Sequence, residues 1–107
     1  MIAGFIIQGE TPQTVVIRAR GLSLAPFGFA EVLADPVLQL FSGATPIATN
    51  DDWSLAADAP AILASGFAPA HVREAAILVT LNPGAYTAIV SGAGGTTGIG
   101  LVEVFAR

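Results

Sequence analysis

The feature that most narrows the fold of this sequence is a series of short apolar runs with a period of two, each closed by glycine, proline or asparagine. Ile2 to Gln8 is the first, and Thr11-Pro12 punctuates it. Thr14 to Arg20 alternates cleanly, with Val15, Ile17 and Ala19 on one side and Val16, Arg18 and Arg20 on the other. A period of two is the signature of a strand, and the arginines mark its wetter face. Val37 to Phe41 and Pro46 to Thr49 follow, joined by Ser42-Gly43-Ala44-Thr45 as a hairpin with a four-residue loop. Glu74 to Leu81 is the strongest core strand, and Asn82-Pro83-Gly84 turns it back into Ala85 to Ser91. Ile99 to Phe105 is the last.

Two stretches break the rhythm. Gly21 to Ala34, rich in Gly, Pro and Leu, has no steady period and reads as an irregular crossover between sheets. In Trp53 to Val72, Asp58 is placed to cap one short helix over Ala59 to Ala64, which Ser65-Gly66 ends. The 107 residues suit one core. The expectation is a single all-β domain, an antiparallel two-sheet β-sandwich of about seven strands with one short helix in the 53-72 connection. Its layers should close around Ile17, Leu40, Val79 and Val90.

Composition limits the partners. Charged residues make up 11% of the chain, against about 25% in an ordinary soluble domain. Much of the folded surface must therefore be small polar or aliphatic, or else be covered by a neighbour. The four basic residues are Arg18, Arg20, Arg73 and Arg107, and the net charge is −4. Nucleic acid is not an expected partner, because phosphate binding needs a clustered positive face. No uninterrupted apolar run reaches the length of a membrane span. Cysteine is absent, which excludes disulfides, thiolate metal sites and cysteine nucleophiles. Met1 leads straight into the first strand, so the sequence reads as a segment of a longer protein, with no signal peptide inside it.

Catalytic signals are poor. Gly92 to Gly98 lacks both the third glycine of a dinucleotide fingerprint and the lysine of a phosphate loop, and it leads into a strand, so it reads as a flexible hairpin loop. His71 is the one histidine, and no serine lies in a nucleophile elbow. No acid, base and nucleophile set can be assembled, and an enzyme is not expected. The polar cluster Asn50-Asp51-Asp52 has two readings. Hard oxygen ligands in a turn suit Ca²⁺, with Asp35 or Asp58 joining if the fold brings their loops together. Asn and Asp are equally good turn formers by themselves. Trp53 is then either a lid on the core or an exposed platform for a sugar ring.

Taken together, Ile2-Ala3-Gly4-Phe5-Ile6-Ile7-Gln8-Gly9, Val15 to Gly21, Leu33-Ala34-Asp35-Pro36, Ile47 to Trp53, Pro83 to Ala88, Gly95-Thr96-Thr97-Gly98 and Leu101 to Val104 resemble a tandem-repeated, largely uncharacterised module of large secreted bacterial proteins. More distantly, the chain is similar to bacterial pre-peptidase C-terminal domains. The resemblance implies a jelly-roll-like sandwich, an extracellular or cell-surface setting and repetition beside similar units. In some pre-peptidase relatives a calcium ion sits near an Asn/Asp turn, which corresponds to Asn50, Asp51 and Asp52 here, with further ligands drawn from a segment before the first strand.

Two functions are therefore expected. One is a structural or adhesive module that associates with copies of itself or with neighbouring domains, to the point of forming filaments. Its proposed edge is the first strand, with Ile2, Phe5, Ile6 and Ile7, since an edge without Lys, Pro or a bulge is open to strand addition. The alternative is a calcium-dependent module for carbohydrate or an extracellular protein, built on Asn50 to Trp53.

Overall fold

The computed structural model describes residues 1–106. Its elements are β1 (Ile2–Ile7), β2 (Gln13–Arg20), β3 (Pro36–Ser42), β4 (Thr45–Asn50), α1 (Ala59–Ala64), β5 (Ala75–Leu81), β6 (Gly84–Gly92) and β7 (Leu101–Ala106), with 3₁₀ turns at Leu22–Phe27, Trp53–Leu55 and Ala93–Gly95. The strands form two sheets, ordered β1-β6-β3-β4 and β5-β2-β7, and every strand pairing is antiparallel. The all-β two-sheet sandwich expected from the periodicity is the observed fold.

The core follows the alternation. Val15, Ile17 and Ala19 of β2 face Leu38 and Leu40 of β3 and Ala88 and Val90 of β6, and all are buried. Each such Val, Leu or Ile contributes about 1.5–3 kcal/mol by leaving water. Of the four expected core residues, Ile17, Leu40 and Val90 are buried, while Val79 is partly buried and packs against the cluster. With β4 lying over β5 and β3 over β2, the four-stranded sheet has one strand more than its partner.

Several local expectations change. The β3–β4 loop has two residues, not four, because Ser42 pairs with Thr45. Gly43 has φ 60° and Ala44 does not have positive φ, the pattern of a type II′ turn, whose twist suits the flanking strands. The turns after β5 and β6 are not hairpins, since β6 lies in the opposite sheet from both β5 and β7. α1 spans the predicted residues, but the Asp58 side chain makes no capping bond. Its carbonyl oxygen instead accepts from the Ala61 and Ile62 amides.

The expected wet face of β2 is largely covered. Val16 is fully buried, and Ile62 of α1 is fully buried in the connection that packs on β5. Phe67 stacks on Phe105 of β7 at 4.4 Å, and the Arg18 guanidinium lies over the same ring at 4.7 Å. Arg18 Nε also donates to Glu103 Oε1 at 2.9 Å, and Nη1 donates to the Phe67 carbonyl. Strand alternation placed the arginines correctly, but the segment that folds back over them has no period of its own.

One buried charge organises the loops. Glu74, fully buried at the entrance to β5, accepts at Oε2 from Gly21 N at 2.6 Å, Ser23 N at 3.1 Å and Ser23 Oγ at 2.7 Å. At Oε1 it accepts from His71 N at 3.1 Å. A carboxylate without water needs such donors, because an unpaired buried charge is strongly destabilising. Glu74→Ala leaves these donors without their acceptor and is expected to cost about 3 kcal/mol, read as a lower urea midpoint with an unchanged m-value.

Candidate functional site

The β3–β4 hairpin builds the acidic site. Because the two strands run antiparallel with Leu38 opposite Asn50, the residue just before β3 returns beside those just after β4. Asp35, Asp51 and Asp52 thus converge, with one carboxylate oxygen from each lying within 4.8 Å of the others. Asp35 therefore joins the turn, and Asp58 stays outside the group.

Asn50 has other work. Its Oδ1 accepts from Ala76 N on β5 at 3.0 Å, and its Nδ2 donates to the Asp52 carbonyl. The side chain expected to bind metal ties the end of β4 to the edge of β5.

The carboxylates are incompletely compensated. Arg73 Nη2 lies 3.6 Å from Asp35 Oδ2, but Asp35 Oδ1 and Asp52 Oδ1 are buried without a hydrogen-bond partner. Asp51 is exposed as a residue, yet its carboxyl is pushed up to about 6 by loss of water, by its hydrogen bond with Asp35 and by repulsion from Asp35 and Asp52, with Arg73 pulling the other way. The donor set is all hard oxygen and suits Ca²⁺ or a similar cation, with backbone carbonyls and waters completing the six to eight ligands.

Trp53 sits next to this turn and is half-buried. Its backbone amide donates to the Glu74 carbonyl and its indole Nε1 donates to the His71 carbonyl at 3.1 Å. One side of the ring borders a shallow apolar hollow of about 450 Å³ with Ser54, Ala56, Ala59, Pro60 and Leu63. Trp53 is thus pinned like a lid while keeping some open surface. His71 Nδ1 accepts from the Arg73 amide, which holds the ring within its own turn.

The edge residues divide by alternation. Ile2 and Ile6 are 71% and 67% exposed on the outer face of β1. Phe5 and Ile7 turn inward: Ile7 is buried, and Phe5 stacks on Tyr86 at 5.7 Å. Sequence reasoning missed the Glu74 anchor and the Asp35–Arg73 contact. Nothing local marks Glu74 as buried, since it opens a strand where an exposed glutamate is ordinary.

A carboxyl whose folded-state value lies above its unfolded value of 3.8 supports folding while protonated, and that support is lost as pH rises through about 6. Asp51→Asn removes the ionised form. It is expected to stabilise the metal-free chain at pH 7 by about 1 kcal/mol, solvent screening of an exposed group reducing the full effect. Below about pH 4 the gain should vanish, as read from urea unfolding at both pH values. Comparison of the chain with family models, curated proteins and solved structures yields no match.

Proposed function

We propose that this chain is a non-catalytic structural or adhesive module that acts by associating with copies of itself or with neighbouring domains, in the extracellular setting its sequence resemblance implies. The observation that carries this reading is the outer face of the β1-β6-β3-β4 sheet. None of the residues in its four strands is charged. The alternation that buries Leu38, Leu40, Ala88 and Val90 turns Val37, Phe41 and Ile89 outward beside Ile2, Ile6 and Ile47. The opposite sheet has its outer face covered by the α1 connection. Gln39, Thr49, Thr87 and Ser91 share this face, and an uncharged surface with isoleucine exposed among small polar residues suits an association surface. The net charge of −4 is carried by the other sheet, the loops and the C-terminal residue, so no charge on this face opposes the approach of a second one.

Sedimentation equilibrium from about 10 μM to about 1 mM tests it. The mass is expected to rise with concentration, and Ile6→Lys should weaken association at least about tenfold, the cost of placing one charge in an apolar contact. Ile6 is exposed, so this change should leave the melting temperature nearly unmoved. A monomer throughout that range would overturn the reading.

The partnerless Asp35 Oδ1 and Asp52 Oδ1 favour a second reading, a calcium-dependent module for carbohydrate or an extracellular protein, with Trp53 and its hollow as the contact. CaCl₂ titrated calorimetrically should give heat, and a hundredfold excess over Kd should add about 2.7 kcal/mol of stability. Asp51→Ala and Asp52→Ala should abolish both effects. Absence of heat from the unaltered chain removes the metal.

A further inference from the structure

We infer that two copies of the chain join through β1 as an antiparallel, two-fold pair centred on Gly4. This rests on the association reading above and gives it a geometry. Met1 N donates to the Val90 carbonyl at 2.9 Å, and Val90 N donates to the Met1 carbonyl at 2.8 Å. Met1 and Val90 are therefore a bonded pair of the β1–β6 ladder. Bonded and non-bonded pairs alternate along an antiparallel ladder, so in this register Ala3, Phe5 and Ile7 also turn their backbone groups toward β6. Ile2, Gly4 and Ile6 turn theirs outward.

That outward row is complementary to itself. With Gly4 on the two-fold axis, Gly4 faces Gly4 of the second copy and Ile2 faces its Ile6, which forms about six hydrogen bonds. On the outer face, isoleucine meets isoleucine. At the axis neither copy has a side chain, and the Gly4 backbone is not held at positive φ, so it can extend as a strand. On the inner face, Ala3 falls opposite the second copy's Phe5, small against large. The two four-stranded sheets become one sheet of eight strands.

The remaining edges are guarded. β4 carries Pro46 and the register shift opposite Leu40 and Phe41, both of which block continued pairing. At β5, the Ala76 amide is taken by Asn50 and the Glu74 carbonyl by Trp53. β7 carries Glu103 at its centre, held by Arg18 and Arg20, and self-pairing there would set like charges against each other. Among the described residues, β1 is the one edge with neither a charged side chain, a proline nor a side chain laid across it. An isologous contact that uses it closes at two and does not propagate.

Concentration-dependent amide exchange of the unaltered chain gives the first test. Ile2, Gly4 and Ile6 should gain protection together as the dimer fills, while Ala3 and Phe5 are protected throughout. The second test is Gly4→Cys. The chain has no other cysteine, and Cα atoms about 5.5 Å apart across a bonded pair lie within disulfide reach. Mild oxidation should give a covalent dimer and nothing larger. Gly4→Pro, which removes only an outward amide, should be monomeric with an unchanged circular dichroism spectrum. Association without protection at Ile2, Gly4 and Ile6, or growth beyond two copies, overturns the Gly4-centred pair and leaves the association reading standing. A monomer at about 1 mM overturns both.

Discussion

The structure depends on how one buried negative charge is satisfied. Glu74 is closed off from solvent, so its oxygens are filled by protein, and the donors come from the two ends of widely separated connections. Gly21 and Ser23 bring the start of the β2–β3 crossover, while His71 brings the end of the segment that follows β4. The close approach leaves no room at Gly21, where a Cβ would fall 1.9 Å from the Leu33 carbonyl oxygen. Trp53 then binds the His71 and Glu74 carbonyls, which fixes the chain immediately after Asp51 and Asp52. Arg73, next to Glu74, is carried to Asp35. The acidic cluster is thus positioned at a distance by a carboxylate that takes no part in it.

The two sheets solve the same problem differently. Each has a core face and an outer face, and a sheet of mixed aliphatic and polar residues needs its outer face either wetted by charge or covered. On the β5-β2-β7 sheet, Arg18, Glu103, Phe105, Phe67 and Ile62 build a third layer from an ion pair, stacked rings and a short helix. Among the described residues, the other sheet has no such cover, and its strands carry no charged side chain. This asymmetry underlies the functional proposal. It also agrees with the sparse charge of the sequence, which is concentrated where the chain is already folded back upon itself.

Strand positions were legible because alternation is a local signal, and the inward faces of β2, β3 and β6 fell as expected at Ile17, Leu40 and Val90, with Val79 of β5 partly buried against them. Sheet membership was not legible. Asn82-Pro83 reads equally well as a hairpin turn and as a corner between layers, since the same dihedrals serve both and only the distant partners of β5 and β6 decide. At the site, Asp51, Asp52 and Trp53 were visible as a polar turn beside an aromatic, and Asp35 was foreseen as a conditional member. The tie from Asn50 to β5 was not legible, because an amide that bonds an adjacent strand has the same sequence signature as one that binds an ion.

The topology also bears on how the chain acquires its form. Among the described residues, β3–β4 is the one ladder between strands adjacent in sequence, whereas β1 pairs with β6 and β2 with β5 and β7. Such non-local pairing gives high contact order and slow folding. During synthesis β1 is made before β6, and its own neighbour exists only once residue 84 has been made. The unguarded strand must therefore wait with both edges bare while the residues between it and β6 are made, a stage at which incomplete chains are prone to aggregate.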